Sequence, residues 1–235
     1  MRFVTVFKAV TKNWIRSRVG LFFSIMFPVM LLIIFGSIFG GNSYIPTITA
    51  AFIMTNGIIG LTSTNTEFKR RGIIRRLSLT PLTKTDWIVG CILSQTLLNL
   101  ILTGIMISLG WGVFGVRVIP DPLTLLMIFL GSVLFSGIGM ALSGLIMDVE
   151  AASAIGNAIS FPMMFLSGVF IPLTIMPSYM NLISKAIPLT YFSDGLKATI
   201  ITKSMNAVFF NMTVVAILAV VFIIIGVLLT RWKEG

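Results

Sequence analysis

The sequence predicts an all-α membrane protein. It has six transmembrane helices, an N-terminal amphipathic helix at the interface, short re-entrant helices between the fifth and sixth spans, and both termini in the cytoplasm. Three observations lead there. Mean hydropathy is +1.05 and 10 % of the 235 residues are charged, against about 25 % in a soluble domain. Six uncharged stretches are long enough to cross a hydrocarbon core of about 30 Å, which takes roughly 20 residues of helix. Lys and Arg gather in alternate connections. So little charge cannot clothe a water-soluble globule, and so many apolar residues exclude a disordered chain.

Residues 1–19 form the interfacial helix. Phe3, Phe7, Val10 and Trp14 make one stripe, with Val6 and Ile15 beside it, while Arg2, Lys8, Lys12 and Arg16 lie largely off it. Basic residues opposite aromatic ones suit the headgroup region. The spans follow at 20–39, 45–64, 87–114, 123–147, 151–171 and 209–230. A cleaved signal peptide is the rival for the first, but the basic segment before it is long for such a leader.

Orientation follows from the basic residues. Arg2, Lys8, Lys12, Arg16 and Arg18 precede the first span, Lys69, Arg70, Arg71, Arg75, Arg76 and Lys84 join the second and third, and Arg231 and Lys233 close the chain. The other side holds Arg117, Lys185, Lys197 and Lys203. Thirteen against four puts both termini inside.

Two connections are unusual. The outer one, 172–208, is cut by Pro172, Pro177 and Pro188 into apolar, helix-like pieces at 178–187 and 189–201 that are too short to cross. Such pieces persist at membrane depth when protein or a wet cavity satisfies their backbone, so re-entry is the favoured reading. The inner one, 65–86, contains EFKRRGIIRRLSLTPL from Glu67 onward, divided by Gly72 and Pro81. Its charge alone reads as topogenic. Its apolar Ile73, Ile74 and Leu77 suit a short amphipathic helix that docks a partner, and local physics leaves both readings standing.

Chemistry is restricted. With no histidine, Ser-His and Cys-His catalysis, HExxH zinc sites and a histidine haem ligand are excluded, and one cysteine excludes an internal disulfide framework. Asp148 and Glu150 are too close in sequence to face each other as a catalytic pair. The spans lack the ionisable relays of ion-coupled transporters. The buried polar candidates are Asn56, Gln95, Asn99, Asn157 and Ser160, for which hydrogen bonding between helices is favoured over substrate contact. Small residues recur at four-residue spacing at Gly36 and Gly40, at Gly104, Ser108 and Gly112, and at Ala152, Gly156 and Ser160.

The chain resembles the ABC-2 type transporter permeases. Gly72, Arg76-Leu77 and Thr80-Pro81-Leu82 match the family's loop after its second span. Ser167-Gly168, Pro172, Met176-Pro177, Pro188-Leu189-Thr190-Tyr191 and Asp194 are similar to its pattern around the fifth span and the outer re-entrant helices, and Asp148-Val149-Glu150 to its acidic connection. One departure is the run Lys69, Arg70, Arg71, where many members repeat the acid, leaving Glu67 as its only stand-in.

The resemblance implies a single transmembrane domain over residues 1–235 that forms half of a dimeric pathway with a second copy or paralogue. It implies that Glu67, Lys69, Arg70, Arg71, Gly72, Arg75, Arg76, Leu77, Thr80 and Pro81 couple to a separate ABC ATPase, with Asp148 and Glu150 as a second cytoplasmic contact. Ser167, Gly168, Pro172, Pro177, Pro188, Tyr191 and Asp194 would form the outer re-entrant gate. ATP and Mg would be bound by the partner, since the chain has no Gly-Lys dipeptide and hence no phosphate-binding loop of the usual kind. The expected function is export of a hydrophobic or amphipathic drug, antibiotic or lipid across the cell membrane, with glycan-lipid or polysaccharide export as the alternative. Neither nucleic-acid binding nor an enzymatic activity of its own is expected.

Overall fold

The computed structural model describes residues 2–16, 18–39, 41–115 and 120–230. Gly40, Arg117, Arg231 and Lys233, used in the reading above, lie outside them. The described residues are overwhelmingly helical and include no strand. In chain order the helices are α1 (Arg2–Arg16), α2 (Arg18–Phe39), α3 (Gly41–Thr55), α4 (Leu61–Arg70), α5 (Ile73–Ser78), α6 (Lys84–Phe114), α7 (Pro122–Leu145), α8 (Val149–Leu166), α9 (Ser178–Ser184), α10 (Pro188–Lys197) and α11 (Met205–Leu229). A π-helical turn, Asn56–Gly60, joins α3 to α4 and makes one rod of them; a second, Ala198–Thr202, follows α10.

Among the described residues five helices are long and apolar enough to cross a membrane: Tyr44–Arg70 (α3 with α4), α6, α7, α8 and α11. The α2 helix is 22 residues long and holds the apolar stretch Ser24–Ile38. Local chemistry sets several ends. Thr83 and Asp86 form a capping box at the start of α6, each side chain accepting the other's backbone N–H, at 3.1 and 3.2 Å. Pro122 and Pro188 stand in the first turns of α7 and α10, where a missing N–H costs nothing. The fifth apolar stretch, expected to run helical to Ile171, stops at Leu166 because Gly168 adopts φ +84°, a left-handed conformation that ends the helix.

The bundle has a centre and a rim. In the most apolar window of the α3–α4 rod 83 % of residues are buried, against 22 % in α8 and in α11. The rod packs on α7, which also holds α11 and the fully buried Leu189, Phe192 and Leu196 of α10. Phe192 meets Phe135 edge to face at 5.5 Å. At the contact of rod and α7 the backbones nearly touch: a methyl group on Gly139 would collide with the carbonyl oxygen of Gly57. Small residues permit such an approach between membrane helices. Of the small-residue stripes, Gly36 packs on Phe114 and Gly156 on Ile59, whereas Gly104 and Gly112 meet open space.

Gly139→Ala therefore forces the rod and α7 apart and lowers stability by about 1–3 kcal/mol. Gly104→Ala, with room for the methyl, is neutral or gains up to about 1 kcal/mol of helix propensity. Thermal unfolding of the two variants in detergent checks this; equal midpoints would contradict the packing.

Candidate functional site: a basic end and a buried polar seam

The rod ends in charge. Its last turn closes with Arg71 N–H donating to Glu67 O at 3.0 Å and Gly72 N–H to Lys69 O at 2.9 Å, and Gly72 then reverses the chain at φ 68°, a conformation that glycine adopts without strain. The short α5 follows. Its Ile74 is buried, with Ile73 and Leu77 half-buried on the same side, whereas Arg75 and Arg76 point outward. Thr80 turns the chain back, its N–H and hydroxyl both donating to Leu77 O at 3.0 and 2.6 Å, and the exposed Pro81 prevents the helix from continuing.

The charged residues here play different parts. Glu67 accepts from Arg70 at 3.0 and 3.2 Å and from Arg71 at 2.5 Å, so the local acid is already engaged. Lys69 turns inward and donates to the carbonyls of Ser143 and Gly144, at the C-terminal end of α7, where a cation opposes the helix dipole. Arg70 lies within electrostatic reach of Asp148 and Glu150. Asp148 caps α8 by accepting from Ala151 N–H at 2.8 Å, and Glu150 is exposed in its first turn. Among the described residues Arg75 and Arg76 form no ion pair, which leaves two free cations on the outer face of α5. Beside them Leu79 is 87 % exposed, the most exposed large apolar side chain described. Sequence reasoning missed it, because a leucine in an alternating apolar stretch carries no local mark of exposure.

The opposite end gathers the proline-cut segment. Ser167 and Gly168 are buried where α8 stops. Pro172 precedes a 3-10 turn, Leu173–Ile175, Pro177 precedes α9, and Pro188 opens α10. Tyr191 donates from its hydroxyl to Lys185 O at 2.7 Å, and Lys197 pairs with Asp194 at 3.3 Å. Lys185, Tyr191 and Asp194 share a cavity of about 460 Å³ with Asn181 and Asn211. Lys203 reaches Asp121 at 3.5 Å, so the connection before α7 lies at this end too.

Between the ends runs a seam of polar side chains. Asn56 donates to Asn99 Oδ1 at 3.4 Å, and Asn99 donates to Ser132 Oγ at 3.0 Å, tying the rod to α6 and α7. Thr62 donates to Gly139 O at 3.1 Å. Asn65 donates to Ser143 Oγ at 2.7 Å and accepts from Trp87 Nε1 at 3.0 Å. Asn56 and Asn99 thus join helices, as buried amides in membrane bundles commonly do. Gln95 Nε2 and Ser160 Oγ are buried without a partner among the described residues, and Asn157 is half-buried on α8. Asn65 and Trp87 were not singled out from sequence; their pairing spans two elements and has no short-range signature.

None of the curated proteins compared with the chain matches it in sequence. A family model does: ABC-2 type transporter, over residues 1–201. That match covers most of the chain, and with the apolar helices it establishes a multi-pass membrane protein. The chain belongs to the ABC-2 type transporter family, the membrane permeases of ABC transporters, whose working partners are an ABC ATPase and the membrane.

Proposed function

We propose that this chain is the permease subunit of an ATP-driven exporter, and that a separate ATPase moves it through α5. The supporting observation is the two-sidedness of α5. Its apolar side rests on the bundle, while Arg75, Arg76 and Leu79 stand outward, the two arginines in no ion pair among the described residues. A helix of this kind fits a complementary groove that carries acidic residues and an apolar pocket. It sits at the end of the most buried rod, so displacement there reaches the centre of the bundle.

In this reading α2 is also a span, the first of six, and the basic end faces the cytoplasm, consistent with the sequence-based count of thirteen of the 17 Lys and Arg residues on that side. The proline-cut segment is then re-entrant at the outer face, and a second copy or paralogue completes the pathway. Gln95 on α6 and Asn157 and Ser160 on α8 are the lining candidates that remain, since Asn56 and Asn99 are bound to each other. A chain with 14 Met and 19 Phe suits hydrophobic or amphipathic cargo. The ATPase partner supplies the nucleotide site, and hydrolysis with it.

Two measurements test the docking role. Co-expressed with its ATPase, the R75E/R76E permease assembles with at least tenfold less ATPase, or loses substrate-stimulated ATP hydrolysis, while its own unfolding midpoint is unchanged. Unchanged assembly and transport would overturn the reading. Leu79→Asp removes an apolar anchor whose burial is worth about 1.5–3 kcal/mol, so ATPase affinity falls roughly ten- to hundredfold in a pull-down titration. An unaltered affinity would place the contact elsewhere.

A further inference from the structure

A second feature of the basic end is a cavity of about 370 Å³ between α1 and α5. Its walls are apolar: Val6, Ala9 and Val10 of α1, Phe68 of α4, Leu77 of α5 and Trp87 of α6. Water is a poor occupant of such a space, since it needs polar partners. The volume is within the range of small-molecule sites, about 300–1,000 Å³. Lys12, Asn13 and Arg16 also line it, all exposed on the last turns of α1, and neither cation forms an ion pair among the described residues.

An apolar hole beneath two free cations, on the flank of an amphipathic helix, has the form of a site for an anionic amphiphile. We propose that the cavity takes one acyl chain of an anionic phospholipid, with the headgroup phosphate held by Lys12 and Arg16. Two arguments select a lipid over a polypeptide. An amphipathic basic helix of this kind lies among headgroups, where anionic lipid is the abundant ligand. Apart from Thr5 and the polar residues of the last turns of α1 the lining is apolar, whereas a peptide would bring backbone groups that need hydrogen-bond partners there. Because Ile73 and Leu77 form part of the wall, the bound chain props α5 from below and makes its position lipid-dependent. That consequence rests on the coupling role given above; the binding does not.

The test uses the purified full-length chain without ATPase, so its outcome is separate from that of the coupling reading. Native mass spectrometry in neutral detergent, with equal phosphatidylglycerol and phosphatidylcholine added, is expected to show one retained phosphatidylglycerol. Ala9→Phe fills the cavity and abolishes this adduct. K12Q/R16Q, altered only at exposed positions, keeps the fold and cuts the preference over phosphatidylcholine roughly thirtyfold, as two lost surface cations imply. Equal retention of the two lipids, or retention unaffected by K12Q/R16Q, would overturn the proposal. Displacement of the adduct by glycerol phosphate would overturn the acyl-chain part. Loss of ATPase assembly in Ala9→Phe with the lipid adduct intact would assign the cavity to the protein partner instead.

Discussion

The rod from Gly41 to Arg70 carries amides and hydroxyls into the middle of an apolar bundle, and several of them are met by the surrounding helices. Asn56 is met by Asn99, Thr62 by the carbonyl of Gly139, and Asn65 by Ser143 and Trp87. Hydrogen bonds between membrane helices are worth about 1 kcal/mol each, so no single one holds the fold. Together they fix rotation and register. The close contact of Gly139 with Gly57 is compatible with one arrangement of the two helices. Lys69 extends the seam to its end by binding the last carbonyls of α7.

This constraint separates two kinds of charged residue that the sequence places side by side. Glu67, Lys69, Arg70 and Asp148 serve the architecture first, in ion pairs and at helix ends. Arg75, Arg76, Lys12 and Arg16 are exposed and form no ion pair among the described residues. The basic end is thus layered: an inner set that ties rod, α7 and α8 together, and an outer set on α5 and α1 that is available to partners. The outer set on α5 is joined to the inner one through Gly72 and the buried Ile74.

Much of this was legible in the sequence for physical reasons. Long uncharged runs mark membrane helices whatever they pack against, and the spacing of Ile73, Ile74 and Leu77 between Gly72 and Pro81 already describes a short two-sided helix. What was not legible depends on contacts between distant residues. The inward turn of Lys69 requires the end of α7, some seventy residues on. The π-helical turn at Asn56–Gly60 brings Gly57 against Phe135 and Ser136, which no local pattern announces. The early end of α8 hung on a single glycine, and Leu79 stands out only once its neighbours are placed.

On the function proposed above, this permease is driven from outside its own chain, by force delivered to its basic end. Proteoliposomes loaded with ATP and an amphipathic fluorescent dye test it most directly, prepared with the permease alone and with the permease and its ATPase together. Uphill, ATP-dependent dye movement is expected when both proteins are present and none with the permease alone. Sustained uphill movement by the permease alone would contradict it.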